Sequence, residues 1–331
     1  MKKILALLIV LCLLASCLVA CDSGARYDDA KALIEEGKYE EAYAILADLG
    51  DYKDAKELLA NFYYAPVSGE YIEDGEALTV EFLYDENNLL IRTVKTTADG
   101  GKYIVDYTYD ANHDLIKETY SGLDVGEAVY TYDAERRLIK EAYVDAKEGS
   151  SSSHEYTYDA DGNRLTEVYV DGDGDDGYTM VDTYENGVWV GSVAIYEDGV
   201  RYESVCTYDA KGNLIKEEFE GTDGIIGSYA YTYDENGNLL EERDVYSDGW
   251  EETYTYTYDA DGNVLTASGV YSDGYEYSYV YTYDENGNRV KIVYTDSDGA
   301  AETKEVEYKL VYIPFSISYI VEGYLSLEYV Y

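Results

Sequence analysis

The chain is poor in several residue types at once. Among 331 residues there are two prolines, two histidines, two tryptophans, four phenylalanines and four cysteines. Only 24 lysines and arginines stand against 69 aspartates and glutamates, a formal net charge of −45. The shortage of basic residues excludes a general nucleic-acid binder, because affinity for phosphate backbones comes from Lys and Arg. Three of the four cysteines fall within the first 21 residues, which excludes a disulfide scaffold. His113 and His154 have no zinc-ligand spacing, and neither a phosphate loop nor a nucleophile elbow occurs. The expectation is therefore a protein that is not an enzyme. Beyond the N-terminus no apolar run is long enough to span a bilayer as a helix. Hydrophobic residues still make up 46%, which argues against disorder.

What is abundant is tyrosine, 43 residues of it. Such a bias favours surfaces whose side chains are apolar in body and polar at the tip.

Met1-Lys2-Lys3 precedes an unbroken apolar run from Ile4 to Leu14, and polarity returns at Asp22-Ser23-Gly24. This is the layout of a secretory signal peptide over residues 1–21. Leu18-Val19-Ala20-Cys21 resembles the bacterial lipobox, whose cysteine is lipidated after cleavage in front of it; Leu14-Ala15-Ser16-Cys17 is the second choice. The resemblance implies an extracytoplasmic protein, lipid-anchored to a bacterial membrane at Cys21 or Cys17. Each buried CH₂ of the acyl chains would contribute about 0.8 kcal/mol. The acidic body would be repelled by anionic headgroups, so the lipid is the only expected membrane contact.

Residues 22–65 form a second region. Ala30, Leu33 and Ile34, then Ala42, Ile45, Leu46 and Leu49, then Ala55, Leu58, Leu59 and Phe62 recur at helical spacing. This predicts helix over 25–64, interrupted at Gly37 and Gly50. Gly37-Lys38-Tyr39-Glu40-Glu41-Ala42 returns as Gly50-Asp51-Tyr52-Lys53-Asp54-Ala55, which resembles the middle of a tetratricopeptide repeat. The copies are 13 residues apart, too close for a true array.

Residues 66–331 are dominated by one phrase. Tyr231-Thr232-Tyr233-Asp234-Glu235-Asn236-Gly237-Asn238-Leu239 is matched 25 residues later by Tyr256-Thr257-Tyr258-Asp259-Ala260-Asp261-Gly262-Asn263-Val264. The Tyr before the Asp stands at 84, 109, 132, 158, 208, 233, 258 and 283, with degenerate copies at Tyr184 and Tyr308. Alternating Tyr and Thr is strand chemistry, and Asp-x-x-Gly-Asn is a turn with Gly in the left-handed region. Weak copies put Asn88, His113 or Arg136 at the Gly position, and Arg136 predicts a strained or different turn. A second set of turns, such as Asp223-Gly224 and Asp248-Gly249, is equally periodic. The reading is mainly β: tandem hairpins of about 25 residues making a meander of about twenty antiparallel strands. Laid flat it would be ~95 Å wide, and accumulated twist makes one large coiled or curled sheet the expected form. Pairing Asp234 with Asn238 would put Tyr229, Tyr231, Tyr233 and Leu239 on one face and Ala230, Thr232 and Leu240 on the other. Which face is concave is left open.

The Tyr-Asp-x-x-Gly-Asn-Leu core over roughly residues 70–310 resembles the YD (Tyr-Asp) repeat of bacterial Rhs-type proteins. The resemblance implies a spiralling β-shell, often at the cell surface, with sugar binding in some members. The proline-bearing Asp-Pro-x-Gly junction of that family is missing here.

Three sets of residues invite a chemical reading. The turn aspartates, Asp110 to Asp284, repeat at two strand spacings, ~9.6 Å, too far apart to share a calcium ion; a role within the turn is expected. Asp171, Asp173 and Asp175 alternate like the start of a calcium loop, but Asp176 replaces its glycine and Asp182 its final Glu. A solvated turn is expected there, with calcium as the alternative and no other cofactor. The tyrosine stripe Tyr229, Tyr231, Tyr254, Tyr256, Tyr277, Tyr279 and Tyr281 offers ring faces that stack on sugars. Against that stands simple cross-strand pairing, worth ~0.2–1 kcal/mol per pair. The functional expectation is a non-catalytic surface scaffold or adhesion module for glycan or a protein partner. The competing expectations are a lipid-anchored carbohydrate-active hydrolase and an acidic calcium-binding surface protein.

Overall fold

A computed structural model describes residues 23–73, 76–172 and 178–313. Cys17, Cys21, Asp173 and Asp175 lie outside the described residues. The chain divides into two compact units.

In its described part, one unit comprises residues 23–65, 84–89 and 308–313. It contains three helices, α1 (23–35), α2 (Tyr39–Leu49) and α3 (Ala55–Leu59). Gly37 and Gly50 follow α1 and α2 with φ of 72° and 55°, the left-handed conformation that ends helices cheaply only at glycine. Ala30, Ala42, Leu46 and Ala55 are fully buried and pack with Tyr27, Phe62 and Leu310. The helical pattern does not run to residue 64: β1 (Phe62–Glu73) begins at Phe62 and carries Pro66 within it. Phe62 is buried as a strand residue, with its ring 5.0 Å from that of Tyr312. Its periodicity marked burial correctly and the element wrongly, because one apolar residue fits either period.

The other unit, residues 66–83 and 90–307, is built from hairpins. Nineteen further strands follow β1: β2 (Glu76–Tyr84), β3 (Leu90–Thr96), β4 (Lys102–Tyr109), β5 (Leu115–Gly122), β6 (Gly126–Tyr132), β7 (Leu138–Asp145), β8 (Ser151–Tyr158), β9 (Arg164–Asp171), β10 (Tyr178–Glu185), β11 (Val188–Tyr196), β12 (Arg201–Tyr208), β13 (Leu214–Gly221), β14 (Ile226–Tyr233), β15 (Leu239–Tyr246), β16 (Glu251–Tyr258), β17 (Val264–Tyr271), β18 (Glu276–Tyr283), β19 (Arg289–Asp296) and β20 (Ala301–Tyr312). Each strand pairs with the next, and β1 also pairs with β20. The expected open, coiled sheet is therefore corrected to a closed 20-strand barrel. Pairing the two terminal strands satisfies the backbone groups that an open meander would leave bare along both edges.

The register follows the sequence pattern. Tyr233 opposes Leu239, and the ladder shifts between Thr232 and Tyr233, so Tyr231 faces Glu242. Leu240 is the extra residue of that bulge. Along β14, Tyr229, Tyr231 and Tyr233 are half-buried while Ala230 and Thr232 are exposed. β16 and β18 repeat that alternation. In a closed sheet the less exposed face is the concave one, so the tyrosines line the inside. The outer face carries ion pairs across neighbouring strands, among them Lys140–Glu155, Lys117–Glu127 and Lys291–Glu305, each at 2.6 Å. Exposed valines such as Val129, Val205 and Val280 are interspersed with them.

Candidate functional site

The repeated phrase divides into structural and available parts. In the turn, Asp234 Oδ1 accepts the backbone N–H groups of Asn236 and Asn238, and Oδ2 accepts the Asn238 side-chain amide. The same bonds recur at Asp159, Asp209, Asp259 and Asp284. Hydrogen bonds from the Asn backbone hold the Asp234 and Asp209 carboxyls below their ordinary range. At Asp159 and Asp259 the Asn side chain does most of this. These carboxylates are committed to the turn.

Arg136 adopts the turn's common left-handed conformation, φ 64°, as do Asn88 and His113. The expected different turn is not found. Its guanidinium reaches back one repeat and forks onto the buried Asp114 carboxylate at 2.6 and 2.9 Å. That bidentate contact offsets the backbone cost of a non-glycine residue.

The Tyr preceding the Asp is also structural. Tyr109, Tyr132, Tyr158, Tyr208, Tyr233, Tyr258 and Tyr283 each donate their hydroxyl to a backbone carbonyl at the start of the preceding return strand, at 2.5–2.9 Å. For Tyr233 the acceptor is Leu214, which lies beyond the end of the β13–β14 ladder at Lys216–Ala230. This stitch between repeats explains why the phrase keeps its tyrosine.

The remaining inner tyrosines form a belt. Ring contacts run without a break from His154 through Tyr169, Tyr178, Tyr196, Tyr202 and Phe219 to Tyr246. A second group gathers on β16–β19. Tyr277 touches the rings of Tyr254, Tyr271, Tyr275, Tyr279 and Tyr294, at 5.7–6.5 Å. Glycines make room for these rings. A Cβ on Gly227 would come within 2.1 Å of the Phe219 ring, and one on Gly269 within 2.4 Å of the Tyr277 ring.

The seven stripe residues all lie on the inner face. Tyr254, Tyr277 and Tyr279 join the second ring group, and Tyr279 stacks on Tyr281 at 6.2 Å. Arg289 lies 4.7 Å from the centre of the Tyr281 ring. Tyr229 packs on Phe219. Tyr231 and Tyr256 stand among carboxylates, and burial raises the hydroxyl pKa of both.

Sequence reasoning missed those carboxylates. Glu118, Glu141, Glu167, Glu217 and Glu242 occupy one position of the return strand and face inward, opposite Tyr107, Tyr130, Tyr156, Cys206 and Tyr231. Their near-25-residue spacing was the signal that could have found them. Asp244 opposes Glu252 across β15–β16. Asp244 is 6% exposed, and burial beside Glu242 and Glu252 pushes its pKa up to about 7. Burial likewise raises Glu217, Glu242 and Asp182.

Cys206 is in no disulfide, and burial followed by the Glu217 charge pushes its thiol up to about 11, which disfavours the thiolate. Asp171 ends β9 opposite Ser152, away from the inner carboxylates of β13–β16. Among the described residues no three His, Cys, Asp or Glu side chains converge as metal ligands.

No protein-family model matches the chain, and no curated protein does. Some solved structures match it at low similarity. A porin-like protein from Bacteroides uniformis is 11% identical, with 74% of this chain and 96% of that one covered and a TM-score of 0.36. A TcdB2-TccC3-Cdc42 structure is 15% identical over 72% of this chain, with a TM-score of 0.26. The Photorhabdus luminescens Tc holotoxin pore is 14% identical over 72%, with a TM-score of 0.25. This chain spans 20% and 19% of the length of those last two chains.

Proposed function

We propose that the protein is a non-catalytic, lipid-anchored scaffold outside the cell, a YD-type repeat barrel whose inner tyrosine belt binds glycan. The observation that carries this reading is the belt of half-buried ring faces, aligned strand after strand and bordered by carboxylates. Rings stack on the apolar faces of sugars while carboxylates accept their hydroxyls. A barrel of this strand number is wider than the side chains of one wall can fill, which leaves ring faces within reach of a ligand. The ion-paired outer face is unsuited to lipid, consistent with attachment through the N-terminus alone.

Binding of oligosaccharides to the full chain, followed by tyrosine fluorescence, tests the reading. Tyr277→Ala opens the centre of the second ring group and should weaken binding at least tenfold, about 1.4 kcal/mol. Thr232→Ala, on the outer face, should leave it unchanged. A blank response across a broad oligosaccharide panel would refute glycan binding.

A further inference from the structure

One stretch of the inner face carries acid without base. Following the register across β12–β16, a single transverse row reads Cys206, Glu217, Tyr229, Asp244, Glu252. Three of its five side chains are carboxylic acids, and Glu242 sits two residues from Asp244 on the same face. The three basic residues of β12–β17 all alternate onto the outer face. Arg201 pairs there with Glu203, Lys216 with Glu218, and Arg243 with Glu251. No ion pair reaches Glu217, Glu242, Asp244 or Glu252 among the described residues. Glu252 accepts the Tyr254 hydroxyl and, at 2.6 Å, the Trp250 indole N–H. Asp244 is more than nine-tenths buried, and its Oδ1 has no hydrogen-bond partner among the described residues. Asp244 is paired with Tyr229 on one side and Glu252 on the other, so the side chain with the bare oxygen is a member of the row.

A buried carboxylate without a partner is costly unless something positive or a proton meets it. A divalent metal ion needs its oxygens converged at about 2.4 Å. Here they are strung out at one and two strand spacings, about 4.8 and 9.6 Å. Charges spaced along a flexible chain match that layout better. Ring faces flank the acids, with Tyr229 in the row and Tyr231 and Tyr254 one step along, and such faces attract organic ammonium groups. We propose that this row binds primary ammonium groups, carried by a polyamine or by an amino-sugar chain. The proposal deepens the glycan reading and rests on the same inner face.

The test is calorimetric titration of the full chain at low salt and pH 8 with three probes: spermidine, a short glucosamine oligomer, and the same oligomer N-acetylated. Spermidine or the free-amine oligomer should bind, and the acetylated one at least roughly tenfold more weakly, because its charge is gone. Binding by both amines marks a general ammonium site; binding by one alone identifies the source. Glu217→Gln with Asp244→Asn should weaken amine binding at least tenfold, and removing buried charge leaves the fold intact. Glu218→Gln on the outer face should change nothing. Equal binding of the free and acetylated oligomers would overturn the ammonium assignment and leave the glycan reading standing. Equal loss in the Glu218→Gln variant would assign the effect to overall charge. Absence of heat with both amines would overturn the proposal.

Discussion

Replacing Tyr233, Tyr258 and Tyr283 together by phenylalanine removes three hydroxyls and little else. Each donates to the carbonyl that opens the preceding return strand, Leu214, Leu239 and Val264, at 2.7–2.9 Å. A neutral intramolecular hydrogen bond contributes about 1 kcal/mol net, and removing the donor leaves an inner-face carbonyl unmet. Neighbouring stitches are one repeat apart, ~9.6 Å, so their effects should add. The triple variant should lose about 3 kcal/mol. For a β unit of this size that lowers the melting temperature by roughly 6 °C. Thermal and urea unfolding of the full chain, followed by circular dichroism, reads the loss. Tyr103→Phe is the control: Tyr103 is 39% exposed and its hydroxyl has no hydrogen bond among the described residues. A triple variant as stable as that control would refute the idea that the phrase's tyrosine is kept for its hydroxyl.

Other expectations follow from the same contacts. Stability should rise as pH falls from 8 to 5. The folded-state pKa of Asp244, about 7, lies above its unfolded value of 3.8, so folding carries a charge penalty above pH 7 that disappears on protonation. Below about pH 4 the trend should reverse, because the turn aspartates have depressed pKa values and their contribution is lost as pH falls through them. Melting temperatures across that range should therefore peak near pH 5, and Asp244→Asn should flatten the rise. Arg136→Gly removes an unfavourable backbone conformation but leaves the buried Asp114 without its guanidinium, a net loss of roughly 2–4 kcal/mol. Adding Asp114→Asn removes the buried charge that Arg136 neutralised and should recover most of that loss in a double-mutant cycle. Gly227→Ala drives a methyl group into the Phe219 ring and should cost roughly 1–3 kcal/mol, partly relieved by Phe219→Leu.

The repeat made local structure legible. Two periodic turns per 25 residues specified the strand number, the turn conformation and the shared face of Tyr229, Tyr231 and Tyr233, because each is written within one hairpin. The Asp234–Asn238 turn fixed the tyrosine side of the register, while the bulge after Thr232 decided which return-strand residue faces Tyr231. That bulge is a pairing event between strands, and it carried Glu242 and Asp244 inward. Closure was likewise undecided by the sequence. The same hairpins could continue as an open spiral, and only the pairing of β1 with β20 turned the tyrosine face into an inside. Burial is a property of that closed sheet, so the absence of an ion pair to Asp244 among the described residues could not be read from a chain in which acids far outnumber bases. The sequence alone determined a tyrosine-bearing hairpin and its repetition; the tertiary structure decided which carboxylates water would leave.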